Sequence, residues 1–322
     1  MPGTPDQYPK EKSHSMPDPE PAVPARLVFR RQLILLAVVA GLLLLCFGRP
    51  LLQLITFSLH DELFSYIPLI PFISAYFIWI NRQRFVPDLL PCWFGAIFFG
   101  LAGSALVTGY WIAARSGWLP AKQDYLSLMT LSFLCFFWGG CLALLGSKML
   151  RQVLFPAAFL IFAVPLPTVW MAPIDTFFQY TSATAAQGFF GLYGTPVLRD
   201  GLDLHLPGFA LTVAPECSGI HSTLVLFMTS FMAGYLFLDR SWQRALLVLA
   251  VVPLAILRNG FRIFVVGELC VHIGPDMINS PIHRKGGPIF FALSLIPFLL
   301  FLVFLRRLNP AARPPLKPEP QP

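Results

Sequence analysis

The sequence predicts an all-α integral membrane protein with about eight transmembrane helices and a short extracytoplasmic hairpin. Two features of composition and one of patterning indicate this class. Hydrophobic residues make up 56% of the 322 residues and charged residues 12%. The apolar residues gather in runs of about 20, the length that crosses a bilayer as a helix. We therefore expect one polytopic membrane domain from residue 26 to residue 308, with little room for a soluble domain.

Eight apolar segments are the expected spans. They cover about 32–48, 64–80, 90–113, 126–147, 153–171, 219–238, 245–270 and 288–305. The first one follows Arg30 and Arg31, as the core of a signal peptide would, but no small-residue cleavage site comes after it. The sequence therefore predicts a retained first helix.

The two ends of the chain differ in composition from the rest. Residues 1–25 are rich in Pro, Ser, Lys and Glu, and residues 309–322 are mostly Pro with scattered charges. Neither stretch has enough apolar surface to bury a core. Both are expected to be disordered tails on the cytoplasmic side.

Basic residues indicate the orientation of the chain. The formal net charge is +7, and most of it lies beside apolar segments, where Lys and Arg favour the cytoplasmic side. With a cytoplasmic N-terminus, basic residues occur in every inside segment and are fewer outside. This bias predicts that both termini are inside. It also assigns the charge to topology, so no nucleic acid partner is expected.

The longest loop, about 172–218, falls outside in this topology. Its first part, 174–180, mixes apolar and polar residues, which suits a helix lying on the membrane or packed across its face. Further on, Asp200-Gly201 and Pro207-Gly208 are turn signals between short alternating stretches. They predict a small hairpin just before the next span.

Cys217 follows that hairpin in the sequence Pro-Glu-Cys-Ser-Gly-Ile, a polar break directly before an apolar segment. A thiol at the start of a helix is favoured as a thiolate by the helix N–H groups. We interpret Cys217 as a nucleophile and its neighbour Glu216 as a supporting residue. The other cysteines (46, 92, 135, 141 and 270) are typical of buried small hydrophobes. A disulfide between Cys217 and Cys270 is an alternative in an oxidising compartment.

The seventh span carries charges in an apolar stretch. Arg258 and Arg262 are four residues apart and flank Asn259. An Arg in the middle of a membrane helix costs about 2.5–3.5 kcal/mol on insertion scales, so both must face protein, water or a counter-ion such as Glu268. Physical reasoning alone leaves the choice between the two arginines open. Asn259 is typical of a helix-packing hydrogen bonder.

His283 lies just before the last span, in the sequence His-Arg-Lys-Gly-Gly. An imidazole there can act as an acid or a base near neutral pH. His272 and His205 are alternatives on the same predicted side, but they do not precede a helix. Cys217, the arginines and His283 are thus all predicted at the outer face.

These residues resemble the exosortase/archaeosortase family of membrane transpeptidases. The resemblance rests on the Pro-Glu-Cys-Ser-Gly-Ile segment, on 259–263 as its N-x-x-R-I motif, and on the late His283 followed by glycines. The stretches 65–71 and 161–167 resemble two further family segments, so it covers roughly residues 30–305. His221 departs from the pattern, because many relatives have Arg four residues after the Cys. Its role is left open.

The resemblance implies a cysteine transpeptidase or peptidase of the bacterial inner membrane with its active site on the periplasmic face. Such enzymes cleave a C-terminal sorting signal of exported proteins, built of Pro-Glu-Pro, a hydrophobic helix and a basic tail. Cys217 would be the nucleophile, Arg262 the stabiliser of the thiolate or oxyanion, and His283 the general acid and base. Arg258, Asn259, Glu216 and His221 would support them. The implied partners are the exported substrate, membrane lipids and an unknown amine or hydroxyl acceptor, with no cofactor and no metal.

Other classes of function remain as alternatives. A transporter, a channel or a lipid-handling protein would also place Arg, Asn and His inside its spans. The chain shows no clear internal repeat, and its polar residues cluster toward one face. A metalloprotease of the His-Glu-x-x-His type is excluded because the motif is absent. Pro-Glu-Pro also occurs at 19–21 and 318–320, but no span and basic tail follow, so self-processing is not predicted.

Overall fold

The computed structural model describes residues 25–82, 90–117, 120–214, 219–274, 276–277 and 286–308. Helices make up most of this part of the chain. They are α1 (Ala25–Cys46), α2 (Gly48–His60), α3 (Ile70–Asn81), α4 (Trp93–Arg115), α5 (Lys122–Leu144), α6 (Gly146–Gln152), α7 (Leu154–Phe159), α8 (Thr168–Tyr193), α9 (Ile220–Phe237), α10 (Ser241–Leu249), α11 (Val251–His272) and α12 (Gly287–Arg307). Short 3-10 helices cover Glu62–Phe64, Ile67–Leu69 and Leu160–Ala163. Both predicted tails lie outside the described residues, apart from the start of α1.

The number of spans agrees with the sequence prediction. Within the described residues, seven helical segments are long and apolar enough to cross a membrane, and a bent pair brings the number to eight. The seven are Phe29–Cys46, Glu62–Asn81, Trp93–Arg115, Lys122–Leu144, Ile220–Phe237, Ser241–His272 and Gly287–Arg307. The protein is therefore a multi-span membrane protein.

The predicted fifth span, 153–171, is not one straight helix. Its first half ends at Ala163, and α8 begins at Thr168 at an angle of 89° to it. Two prolines explain the break, because Pro165 and Pro167 lack backbone N–H donors and disfavour a helical conformation in the residue before each of them. The mixed stretch 174–180 then lies inside α8, which packs along α11 as a helix, in line with the expected packed helix.

The start of α5 holds this bend in place. Asp124 caps α8: its Oδ1 accepts from the Thr168 backbone N–H at 2.7 Å and its Oδ2 accepts from the Thr168 hydroxyl at 2.7 Å. Ser127 Oγ donates to the Pro165 carbonyl at 2.6 Å. The polar groups freed by the break are thus satisfied by side chains of a neighbouring span.

A three-stranded antiparallel meander follows α8, with strands β1 (Leu198–Asp200), β2 (Asp203–Leu206) and β3 (Phe209–Thr212). Gly201 and Gly208 have positive φ in the connecting turns, where the sequence predicted them. The predicted hairpin is therefore confirmed, and the structure contains a third strand that was not predicted. Its buried face packs on α8 and α11 through a core that includes Leu204, Leu206, Leu211, Val213, Phe190 and Ile263.

Helix α9 lies between two apolar cores. Met228 joins residues of α2, α3, α5 and the segment before the bend. Leu226 and Ala233 join residues of α10, α11 and α12. Packing on both sides fixes the position of α9, and with it the position of its first turn.

Helices α8 and α11 approach closely at Gly260. A Cβ added there would lie 2.5 Å from the Ala185 Cβ and 3.0 Å from the Ala186 backbone N. Small residues let membrane helices come this close, and the resulting van der Waals contacts are a main source of their association. The α8–α11 contact therefore depends on having no side chain at residue 260.

We expect Gly260→Ala to destabilise the fold, because the new methyl group meets backbone atoms that cannot move independently of α8. Overpacking of this kind costs about 1–3 kcal/mol. The melting temperature of the purified protein in detergent micelles should fall by several degrees.

Gly188→Ala is the matched control, since Gly188 lies in α8 and a Cβ there would meet nothing within 4 Å. Its melting temperature should stay level or rise, because Ala favours a helix more than Gly does. Equal melting temperatures for the two variants would contradict the close packing at residue 260.

Candidate functional site

The sequence-predicted site residues divide into two groups. Cys217, Glu216 and His283 lie outside the described residues. Arg258, Asn259, Arg262 and His221 are described, as is Gly219, which follows Cys217 by two residues. The geometry of the site is therefore built from Gly219 and the residues around it.

Gly219 precedes α9 and lies directly against α11. Its φ of +70° and ψ of +18° place it in the left-handed region, which favours glycine. A Cβ at this position would be 2.9 Å from Asn259 Oδ1 and 3.2 Å from Arg258 Nη2. The structure thus brings the end of the Pro-Glu-Cys-Ser-Gly segment onto the polar residues of the seventh span.

The Gly219 carbonyl oxygen collects four donors. The Thr223 backbone N–H donates to it at 3.1 Å, as in the first turn of a helix. Thr223 Oγ1 donates at 2.8 Å, Ser222 Oγ at 3.0 Å and Arg258 Nη2 at 3.1 Å. This carbonyl therefore joins the first turn of α9 to α11.

Arg258 is the arginine of this contact. Its side chain is 8% exposed, and Nη2 lies 3.2 Å from Thr223 Oγ1 as well as bonding to Gly219. Nη1 is buried and has no hydrogen-bond partner among the residues that the structure describes. A buried guanidinium with an unused donor is unfavourable unless a further group pairs with it. The prediction from the sequence had assigned Arg258 only a supporting role.

Asn259 and Arg262 complete the polar stretch of α11. Asn259 is buried beside Gly219. Arg262 is half-buried, one turn beyond Arg258, and the two guanidinium groups are close enough to repel each other. Two cations on one turn of a membrane helix make a region that favours an anion.

His221 lies in the first turn of α9 and is exposed. It interacts electrostatically with Asp61 and Glu62, at the turn before the second span, and with Arg258. Asp61 also caps the following 3-10 helix by accepting from the Leu63 N–H at 2.9 Å. The sequence reasoning missed both carboxylates, although two adjacent acids at the start of an apolar segment were a visible signal.

Glu268, His272 and His205 lie toward the meander. Glu268 accepts a hydrogen bond from Thr195 Oγ1, and its other oxygen is 3.0 Å from His272 Nε2. His205 is exposed on β2. His272 is thirteen residues beyond Asn259 on α11, about 20 Å by helical rise. His272 therefore lies away from the Gly219 contact.

The described residues offer no metal site. Among them, no three His, Cys, Asp or Glu side chains come together in a way that would hold an ion. What they do offer is a buried donor group, on Arg258, against the start of α9, and a second positive charge, on Arg262, one turn further along α11.

Comparison with known proteins identifies the chain at the level of a family. The sequence model of the transmembrane exosortases matches residues 58–300, which include the Cys217 segment and the arginines of α11. No curated protein and no solved structure matches the chain significantly. Because the match covers most of the sequence, the chain belongs to the transmembrane exosortase family.

Proposed function

We propose that this protein is a membrane-embedded cysteine transpeptidase that cleaves C-terminal sorting signals of exported proteins and transfers them to an acceptor. Membership of the exosortase family supports a membrane transpeptidase. One structural observation supports the site: Gly219, two residues after Cys217, is bonded to Arg258 in the same polar stretch of α11 that holds Arg262.

In the first step, the Cys217 thiolate attacks the carbonyl carbon of the scissile peptide bond. The carbon–sulfur bond forms, and the carbonyl oxygen becomes an oxyanion. Positive charge next to the start of a helix favours both anions. Arg262 is assigned to stabilise the thiolate or the oxyanion.

Collapse of the tetrahedral intermediate breaks the carbon–nitrogen bond and leaves a thioester on Cys217. His283 is assigned to donate the proton that the leaving amine needs, and later to accept a proton from the incoming nucleophile. The placement of His272 beside Glu268, at the meander end of α11, favours His283 for this role.

In the second step an amine or hydroxyl acceptor displaces Cys217. The thioester keeps the acyl group activated, so transfer needs no ATP. A site within a membrane bundle limits the access of water, which favours the acceptor over hydrolysis.

The proposed substrate is an exported protein whose C-terminus carries Pro-Glu-Pro, a hydrophobic helix and a basic tail. Such a helix would share the bilayer with the eight spans of this protein. The distribution of basic residues supports inside termini and a reaction at the outer face of a bacterial inner membrane.

Cys217→Ala should abolish processing, because no other residue replaces the attacking sulfur. Loss of a nucleophile lowers the rate by far more than about 100-fold. The measurement is cleavage of a tagged Pro-Glu-Pro substrate in cells, followed by mass spectrometry of its new C-terminus. An added mass there indicates transfer, and a free carboxylate indicates hydrolysis.

Cys46→Ala is the control for this experiment, since Cys46 is an exposed thiol at the end of the first span. It should process the substrate like the unmodified protein. Unchanged processing by Cys217→Ala would refute the proposal and favour a transporter or lipid-handling protein, which does not depend on a thiol.

His283→Ala should lower the rate of processing by about 100- to 10,000-fold, the range that general acid–base catalysis supplies. His272→Ala removes an exposed histidine of the alternative position and should change the rate little. Initial rates of substrate cleavage in membrane vesicles measure both. The reverse order of effects would assign the acid–base role to His272.

A further inference from the structure

Arg258 contacts the first turn of α9, and the proposed mechanism gives these contacts no role. Its Nη2 is within hydrogen-bond distance of two groups in the first turn of α9, the Gly219 carbonyl and Thr223 Oγ1. Two residues of chain span at most about 7 Å, so this contact also limits how far Cys217 can lie from α11. A buried, planar side chain with two fixed partners is suited to holding a backbone in one position.

The charge of Arg258 is the second observation. The side chain is more than nine-tenths buried, Nη1 has no hydrogen-bond partner within the described part of the chain, and the neighbouring Arg262 repels it. Bringing an anion close to this donor would relieve both the unused hydrogen bond and the repulsion. The chain next to Gly219 supplies two groups that become anions, the thiol of Cys217 and the carboxyl of Glu216.

We infer that Arg258 is a second functional arginine of the site: a positioning residue that fixes the Cys217 segment against α11, and whose charge raises the thiolate fraction of Cys217. This inference rests on the proposed function, in which Cys217 is the nucleophile. It separates two tasks between the arginines. Arg258 holds the first turn of α9 and activates the thiol, whereas Arg262 keeps the role assigned to it in the proposed function.

The test measures the reactivity of one thiol as a function of pH. Full-length protein in membrane vesicles is treated with iodoacetamide, and alkylation of Cys217 is quantified on its own peptide by mass spectrometry, apart from the other cysteines. Cys217 of the unmodified protein should react with a midpoint below the value of about 8.5 typical of a free cysteine.

Arg258→Met keeps most of the volume and removes the charge. The midpoint for alkylation should rise by about one pH unit or more, the effect expected when a nearby opposite charge is lost, and substrate processing should fall. A folded Arg258→Met protein with an unshifted midpoint would overturn the inference.

Arg258→Lys distinguishes the effect of the charge from that of the side-chain geometry. It also provides a test of the inference if the Arg258→Met protein does not fold. A lysine keeps the charge but not the planar fork that reaches Gly219 and Thr223 together. The midpoint should stay near that of the unmodified protein while the rate of processing falls at least several-fold. A processing rate equal to that of the unmodified protein would refute the positioning role.

Arg244→Met is the matched control. Arg244 in α10 also donates to a backbone carbonyl, that of Leu238, at 2.9 Å, but at the other end of α9. Its loss should affect stability without moving the alkylation midpoint of Cys217. If processing depends on Cys217 while Arg258 variants behave like the Arg244 control, only this inference fails. If processing does not depend on Cys217, the proposed function fails with it.

Discussion

The structure around the site depends on burying one guanidinium inside a membrane bundle. Arg258 can stay charged there only if protein groups replace the water it would otherwise bind. The Gly219 carbonyl and Thr223 hydroxyl are two such groups, and reaching them requires the start of α9 to lie on α11. A glycine with positive φ makes that approach possible. The cost of one buried charge is thus offset by the contacts that hold the first turn of α9 on α11.

Hydropathy and turn chemistry made most of the fold predictable. Seven of the eight apolar runs predicted a span within a few residues, and Asp-Gly and Pro-Gly predicted both turns of the meander. The bend before α8 was not predicted, because the stretch is apolar throughout. Its two prolines favour a break, but the capping of α8 by Asp124, 44 residues away, is what stabilises it. Such a contact depends on tertiary packing and leaves no periodic trace in the sequence.

The site was predictable in composition but not in its division of roles. Charges in an apolar span drew attention to Arg258, Asn259 and Arg262, and family resemblance favoured the last. Arg258 is the arginine that contacts Gly219. Sequence spacing alone could not predict this, because residues four apart lie on nearly the same face of a helix. Asp61 and Glu62 were overlooked for a similar reason, since their nearness to His221 arises only when the turn before the second span packs beside α9.

The meander and α11 hold Val213 and Gly219, which lie on either side of residues 215–218 in the sequence. On one side, Val213 is buried and its N–H donates to the Leu202 carbonyl at 3.0 Å. On the other side, Gly219 is bonded to Arg258. Val213 and Gly219 are thus two fixed points, one on each side of the proposed nucleophile in the sequence. Under the proposed function, the substrate, whose own helix can slide and rotate in the surrounding lipid, supplies the motion that brings its scissile bond into the productive geometry.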